Sequence, residues 1–136
     1  MQNYLPALAD HLHQLNIPTD IYAANWFITM FCYDLNIDLV LCILDLFLLE
    51  GIKSLLRVSL ALLSFMEKRI LKMDYEECME YLSHSQKDIE VDSQTLIEMA
   101  LGFKITEKLL NDIQLLYRLR RRKNTNNIYL RAFNRL

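Results

Sequence analysis

The sequence predicts an all-α fold, a multi-helix bundle of about seven helices, and three observations support that class. The chain has only two glycines and two prolines in 136 residues, too few for the turns that join many short strands. Apolar residues make up 53% of it. Over most of the chain they recur three or four positions apart, which is the period of an amphipathic helix. The length suits one domain with a core of its own.

The first two predicted helices are short and amphipathic. Residues 5–15 place three leucines on one face, and this helix ends before Pro18. The second helix is predicted to begin at Pro18, because proline followed by acidic residues is favoured in a first helical turn. It runs through Phe31, with its aromatic residues at helical spacing.

The third predicted helix lies in the stretch DLVLCILDLFLLEG, residues 38–51, where only Asp38, Asp45 and Glu50 interrupt an apolar run. The stretch is too short and too acidic to cross a bilayer. A helix that is apolar all round must be covered on every side, so residues 39–50 are predicted to form the buried centre of the domain. Gly51 ends the helix in a left-handed conformation. Asp45 is expected to be a buried structural acid that accepts hydrogen bonds, and a catalytic carboxylate is the alternative.

Four further helices are predicted from apolar periodicity and capping residues. Between residues 53 and 72 the polar positions form one narrow stripe, so the fourth helix is long and mostly buried. Asp74 caps a fifth helix that extends to residue 82, and Asp92 or Ser93 caps a sixth that extends to residue 101. Thr106 caps a seventh, from residue 107 to about residue 122. The inward stripe of the seventh helix is Ile105, Leu109, Ile113 and Leu116.

The net charge of −2 conceals a strong asymmetry along the chain. Residues 1–115 contain 8 Lys and Arg against 17 Asp and Glu, whereas residues 116–136 contain 7 against none. Such polarity is typical of an acidic globular body with a solvated or partner-binding tail. We therefore predict a helical domain at residues 1–117 and a basic, partly apolar tail at residues 118–136.

The tail has two interpretations. Cations at a helix C-terminus offset the macrodipole, which favours a solvated helix end, although clustered positive charge also binds anionic membranes or nucleic acid. No aromatic residue interleaves with the cluster to stack on bases, so no nucleic-acid partner is expected. The last residues form a short apolar strip that either closes the bundle or docks a partner. The candidate docking residues are Arg118, Arg121, Arg122, Tyr129, Phe133 and Leu136.

Cysteine and histidine spacing predicts no metal, cofactor or disulfide. Cys32, Cys42 and Cys78 are odd in number and lack C-x-x-C spacing, so we expect buried free thiols in a reducing compartment. His11 and His13 are two positions apart on a helix, which directs their rings about 200° apart and prevents chelation of one ion. No secretory signal pattern precedes them.

Three stretches carry motifs of a known family. IYAANWFITMF, residues 21–31, is similar to Y-x-x-x-W-F-x-T-x-F. CILDLFLLEGIKSLLRVSLALL, residues 42–63, resembles R-I-W-D-x-F-L-x-E-G-x-K-x-L-F-R-V-x-L-A-L-L. Together with TLIEMALGFKITEKLLNDI, residues 95–113, they resemble the C-terminal half of the TBC domain, the helical domain that activates Rab-type small GTPases. The signature residues, expected to be mainly structural, are Tyr22, Trp26, Phe27, Thr29, Phe31, Asp45, Phe47, Glu50, Gly51 and Arg57.

The resemblance has structural implications. In the family this half packs against an N-terminal half, and neighbours from both halves cover the central helix. Without the second half, apolar surface on that helix should lie open. Trp26 and Phe27 are expected to be core residues, and the alternative is part of a surface that faces the GTPase.

Two departures from the family pattern bear on activity. TBC domains supply an arginine from I-x-x-D-x-x-R and a glutamine from Y-x-Q, and neither motif occurs in these 136 residues. Cys42 and Leu44 stand where the family commonly has Arg and Trp. The sequence therefore predicts the C-terminal portion of a Rab GTPase-activating protein that has no catalytic residues of its own. The alternative is a non-catalytic TBC-like assembly subunit of a larger complex.

The resemblance also implies partners and a location. The expected partners are a Rab-type small GTPase and either an N-terminal TBC half or other protein subunits. No transmembrane segment is expected. The implied location is intracellular, either cytoplasmic or peripheral to endomembranes, in vesicle trafficking.

Overall fold

Seven α-helices make up the regular structure of the computed structural model, which describes residues 1, 3–33, 35–84, 89 and 91–121. Within those residues there is no strand, so the predicted all-α class is confirmed. In chain order the helices are α1 (Pro6–Gln14), α2 (Asp20–Thr29), α3 (Ile37–Glu50), α4 (Ile52–Ile70), α5 (Tyr75–His84), α6 (Ser93–Gly102) and α7 (Glu107–Arg121).

The central element of the bundle is α4. Eleven of its nineteen residues are buried, and α2, α3 and α6 all pack against it. Two of the buried residues are serines whose hydroxyls donate to backbone carbonyls. Ser54 Oγ lies 2.7 Å from the Gly51 oxygen and Ser59 Oγ lies 2.8 Å from the Leu55 oxygen. The helix therefore brings no unpaired side-chain donor into the core.

The position of α3 differs from its prediction. Its buried residues are Leu39, Val40 and Ile43, all on the side that faces α4 and α6. On the other side, apolar residues are exposed in the part of the chain that the structure describes, so the prediction of a helix covered all round is wrong here. The related expectation of open apolar surface is confirmed. The exposed side chains are Ile37, Leu41, Leu48 and Leu49.

Helix starts follow the predicted capping residues. Asp74 and Glu77 form a capping box, in which the Glu77 N–H donates to Asp74 at 3.0 Å and the Asp74 N–H donates to Glu77 at 3.2 Å. Asp92 accepts from the Thr95 N–H at 3.0 Å and from the Thr95 hydroxyl, and these hydrogen bonds hold the pKa of Asp92 below its usual value. Thr106 accepts from a first-turn N–H of α7 at 3.3 Å. These interactions satisfy donors that helix starts otherwise leave unpaired.

The end of α2 is earlier than predicted. The helix ends at Thr29 instead of continuing through Phe31, because Met30 and Phe31 both have left-handed backbone conformations, with φ of 51° and 65°. Such a conformation is costly for a bulky residue. Complete burial of Phe31 and a 3.1 Å hydrogen bond from its N–H to the Trp26 oxygen offset that cost.

The three cysteines are free thiols, as predicted, but they are not all buried. Cys78 is buried, Cys42 is half-buried and Cys32 is exposed. The prediction of burial is wrong for Cys32, because this residue lies in the turn after α2 ends. Burial raises the pKa of the Cys78 thiol to about 11.

The turn between α3 and α4 depends on Gly51. Its φ of +66° lies in a region that side chains rarely adopt, and an added Cβ would meet nothing within 4 Å. The constraint is therefore backbone conformation and not crowding. As predicted, this glycine ends the third helix and lets the chain reverse.

Thiol reactivity should follow burial. At pH 8 we expect Cys32 to react with a disulfide reagent at least ~100-fold faster than Cys78, because a thiol with a raised pKa holds little thiolate at that pH. Mass spectrometry of labelled peptides measures both rates in one sample. The Cys32→Ser variant should lose the fast labelling reaction and keep the slow labelling of Cys78. Equal labelling rates at the two cysteines would contradict the described burial.

Replacing Gly51 should destabilise the bundle. Gly51→Val is expected to cost on the order of 1 kcal/mol or more through backbone strain, which lowers Tm by a few degrees. The matched control is Gly102→Ala, because Gly102 lacks a positive φ and also has open space around it. Its Tm should be unchanged or slightly higher. Thermal unfolding followed by circular dichroism provides the comparison, and an unchanged Tm in the Val variant would count against the strained turn.

Candidate functional site

Three aromatic signature residues, two in α2 and one just after it, lie together in the core. Tyr22, Trp26 and Phe31 are each 1% exposed or less. The Trp26 ring centroid lies 5.4 Å from that of Tyr22 and 5.6 Å from that of Phe31, distances at which aromatic pairs attract each other. Burial raises the pKa of the Tyr22 phenol well above its usual value, so the group stays neutral. The prediction that Trp26 is a core residue is confirmed.

The other two signature residues of α2 lie nearer the surface. Phe27 is half-buried and packs against the core. Thr29 donates its hydroxyl to the Asn25 oxygen at 2.8 Å, one turn back. Local backbone bonding of this kind suits the last residue of a helix. Neither contact places a reactive group in a cleft.

The second signature stretch forms a clamp at the α3–α4 junction. Arg57 Nη1 lies 2.5 Å from Glu50 Oε2, and Arg57 Nε donates to the Phe103 oxygen at 3.0 Å. The two side chains of the ion pair are 12% and 32% exposed, so this pair is less screened by water than a surface salt bridge. The clamp fixes the start of α4 to the end of α6, 46 residues further along the chain.

The segment after α6 is where distant parts of the chain meet. The Tyr4 hydroxyl donates to the Lys104 oxygen at 2.6 Å, and the Tyr4 ring contacts the Phe103 ring edge-on, with centroids 5.7 Å apart. Lys53 and Glu107 form a looser pair at 3.9 Å. The sequence motifs do not predict this meeting point. The acceptors are backbone carbonyls, which carry no sequence signal.

Asp45 does not have its predicted environment. The side chain is exposed, and among the described residues it has no ion-pair partner. The prediction of a buried acid is wrong because the helical period places Asp45 beside Leu41 and Leu48, on the side of α3 that faces away from α4. Phe47 is half-buried against the core.

The two histidines have different surroundings. His11 is half-buried, and its Nε2 lies 3.2 Å from the Met73 oxygen, whereas His13 is exposed. Within the ranges that the structure describes, no group of three or more His, Cys, Asp or Glu could hold a metal ion. His13 also lines a cavity of about 390 Å³ between α1 and the start of α2, which contains none of the clamp residues.

Most of the tail residues lie outside the described ranges. Arg118 and Arg121 belong to α7, so the predicted boundary after residue 117 falls within a helix. The docking role of the tail stays a prediction, as does the boundary itself. No described helix is both long enough and apolar enough to span a membrane. The docking residues outside the described ranges are Arg122, Tyr129, Phe133 and Leu136.

The arrangement positions the helices and holds the two arginines of residues 1–117 in contacts within the chain. Arg57 is bound to Glu50 and to the Phe103 carbonyl. The Arg69 guanidinium lies over the Tyr81 ring, 4.6 Å from its centroid, which is a cation–π distance. The contacts of both side chains are packing contacts within this chain.

Comparison with known proteins finds relatives for most of the chain. A family model described as RabGAP TBC domain matches residues 1–114. The chain is 33% identical over 113 residues to Rab GTPase-activating protein tbc-11 of Caenorhabditis elegans. This alignment covers 81% of this chain and 12% of the worm protein. It is 30% identical over 118 residues to the ecotropic viral integration site 5 protein of Mus musculus. This alignment covers 84% of this chain and 14% of the mouse protein. The chain thus spans about an eighth of the length of these relatives.

Removing the Arg57 clamp should destabilise the protein more than removing Arg69. Arg57→Ala is expected to lower the free energy of unfolding by about 1.5–3 kcal/mol, because it breaks the ion pair with Glu50 and a charged hydrogen bond to the Phe103 carbonyl, which keeps only the Ile105 N–H at 3.1 Å. Arg69→Ala, the matched control, should cost no more than about 1 kcal/mol. Urea unfolding of both variants measures the difference.

A double-mutant cycle isolates the ion pair itself. Glu50→Gln combined with Arg57→Ala should cost less than the sum of the single changes by about 0.5 kcal/mol or more. Additive single changes, or an Arg57→Ala cost equal to that of Arg69→Ala, would show that the clamp does not stabilise the junction.

Proposed function

The chain belongs to the RabGAP TBC domain family, and on this premise we propose that it forms the C-terminal portion of such a domain and is not catalytic by itself. One observation carries the proposal: the two arginines of residues 1–117 are both held in structural contacts. Arg57 binds Glu50 and the Phe103 carbonyl, and Arg69 lies over Tyr81.

The chemistry of GTPase activation explains why this observation matters. Charge develops on the phosphoryl group as it transfers, and an arginine finger that neutralises this charge is worth ~10³–10⁵ in rate. A group that orients the attacking water is also needed. A guanidinium that bridges two helices cannot extend to a nucleotide without breaking its bonds. These 136 residues also lack the I-x-x-D-x-x-R and Y-x-Q motifs.

The proposed role is to complete a TBC domain and to present part of its partner surface. The exposed apolar side of α3 suits contact with a further helical layer, because large exposed apolar surfaces mark interfaces. That layer would be an N-terminal TBC half or another protein subunit. The proposed target of the assembled domain is a Rab-type small GTPase inside the cell, in the cytoplasm or at endomembranes, with a role in vesicle trafficking.

A second candidate function is a non-catalytic assembly subunit. In this case the same helical body would act as a scaffold within a larger complex. The charge contrast between an acidic body and a basic tail favours it, as does Cys42 at a position where the family commonly has Arg. The two candidates differ in whether a partner supplies the missing arginine and glutamine.

We predict that the purified 136-residue chain does not accelerate hydrolysis by any Rab-type GTPase above the intrinsic rate. Single-turnover phosphate release across a panel of GTP-loaded GTPases measures this directly. A TBC protein that contains both finger motifs is the positive control. Variants in which each tail arginine is changed to Ala identify a relocated finger.

The result that would overturn the proposal is acceleration of a hundredfold or more that disappears when one arginine is changed. Binding to the GTP-loaded form without acceleration supports the first candidate. Binding to neither nucleotide form supports the assembly subunit.

A further inference from the structure

The outward side of α3 has the residue pattern of a helix–helix seam. Ile37, Leu41, Leu44 and Leu48 are spaced by four, three and four positions, which is the alternation of core positions in a coiled coil. Ile37 is 67% exposed, Leu41 53% and Leu48 81%, while Leu44 is half-buried. We call these four residues the outward seam. The opposite side of α3 is not open to a partner, because it packs on α4 and α6.

An acidic row runs along one edge of the outward seam. Asp38 and Asp45 are seven residues apart, and each directly follows a seam residue, Ile37 or Leu44. These are the flanking positions whose charges set partner choice in helix pairs. Both side chains are exposed, and among the described residues neither has an ion-pair partner. Asp38 lies in the first turn of α3, where a negative charge interacts favourably with the helix dipole. Asp45 lies in the middle of α3, where the dipole gives no such stabilisation.

The other edge of the seam offers no charge to a partner. The equivalent flanking positions are Val40, which is buried, and Phe47, which is half-buried, and both pack within this chain. Selection by charge on this face therefore depends on the two aspartates. An apolar seam with one acidic edge is complementary to an apolar seam with a basic edge.

The same row disfavours a second copy of this chain as the occupant. If two α3 helices pair antiparallel through their seams, the flanking row of one faces the same row of the other. Asp38 of each copy would then lie close to Asp45 of the other, and like charges in an interface are unfavourable. A leucine-rich seam on its own would favour such pairing.

We propose that the outward seam docks one amphipathic helix with lysine or arginine beside its apolar residues, and that Asp38 and Asp45 select this helix over a second copy of the chain. The proposal rests on the proposed function in one respect, that α3 contacts a further helical layer. It adds the chemistry of that layer, which neither the family match nor the names of the relatives provide.

The experiment uses the chain as its own probe. The variant Asp38→Arg/Asp45→Arg keeps the seam and converts its acidic edge into a basic one. Sedimentation velocity is recorded for the wild-type chain, the variant and a 1:1 mixture, over a range of concentrations at low salt. We expect the mixed dimer to have a dissociation constant at least ~10-fold lower than either homodimer. At 0.5 M salt this preference should shrink, because exposed charges are screened.

A control variant carries the same change in charge on other helices. Glu80→Arg/Asp112→Arg alters two exposed acids on α5 and α7, and its mixture with wild type should show no preference for the mixed dimer. Circular dichroism of every variant checks that helix content is retained. If the arginine variant does not fold, Asp38→Asn/Asp45→Asn replaces it. Loss of the repulsion should then make that homodimer tighter than the wild-type homodimer.

Each outcome separates the two proposals. Dimers of all three kinds with equal affinity would show that α3 is a docking surface without charge selection, which overturns this proposal and leaves the proposed function standing. A wild-type homodimer tighter than the mixed dimer would identify a second copy as the occupant and overturn this proposal. Absence of any association through the seam would contradict the docking role of α3 as well.

Discussion

Burial of α4 is the constraint on which the rest of the bundle depends. The helix has eleven buried residues, and each fully buried aliphatic side chain contributes about 1.5–3 kcal/mol relative to exposure. That gain requires several helices to cover α4 at once, and α2, α3 and α6 do so. The positive φ of Gly51 allows α3 to fold back onto α4 after a single residue. The shortness of this turn also places Glu50 near Arg57.

The second signature stretch acts at a junction between helices. The Arg57 clamp spans the α3–α4 turn and the end of α6, and the neighbouring segment receives Tyr4 from the other end of the chain. Charged hydrogen bonds to a backbone carbonyl fix such a junction with more directional precision than apolar contact alone. The Arg57 guanidinium is bound through both Nη1 and Nε, so it joins α4 to the end of α3 and to the segment after α6.

The two sides of α3 explain why its sequence is apolar nearly all round. One side contributes Leu39, Val40 and Ile43 to the core. The other leaves large aliphatic residues exposed, and covering them with a second helix would stabilise an assembly by several kcal/mol, on the scale of about 1.5–3 kcal/mol each. Composition alone cannot distinguish a helix that one domain covers completely from a helix that two layers share. The two aspartates on the open side mark the difference, since a carboxylate remains charged there at little cost.

The sequence by itself determined the class, the seven helices and most of their ends, because these depend on local physics. Apolar periodicity sets which segments are helical, and short side chains such as Asp74, Asp92 and Thr106 cap their own first turns. Only the tertiary structure decided which helix is central. The residues of α3 are more apolar than those of α4, yet α4 is the more buried helix, because burial depends on which neighbours cover each side. For the same reason Asp45 and Cys32 were assigned to the core and lie at the surface, and the carbonyls that bind Arg57 and Tyr4 became visible only once residues far apart in the chain were brought together.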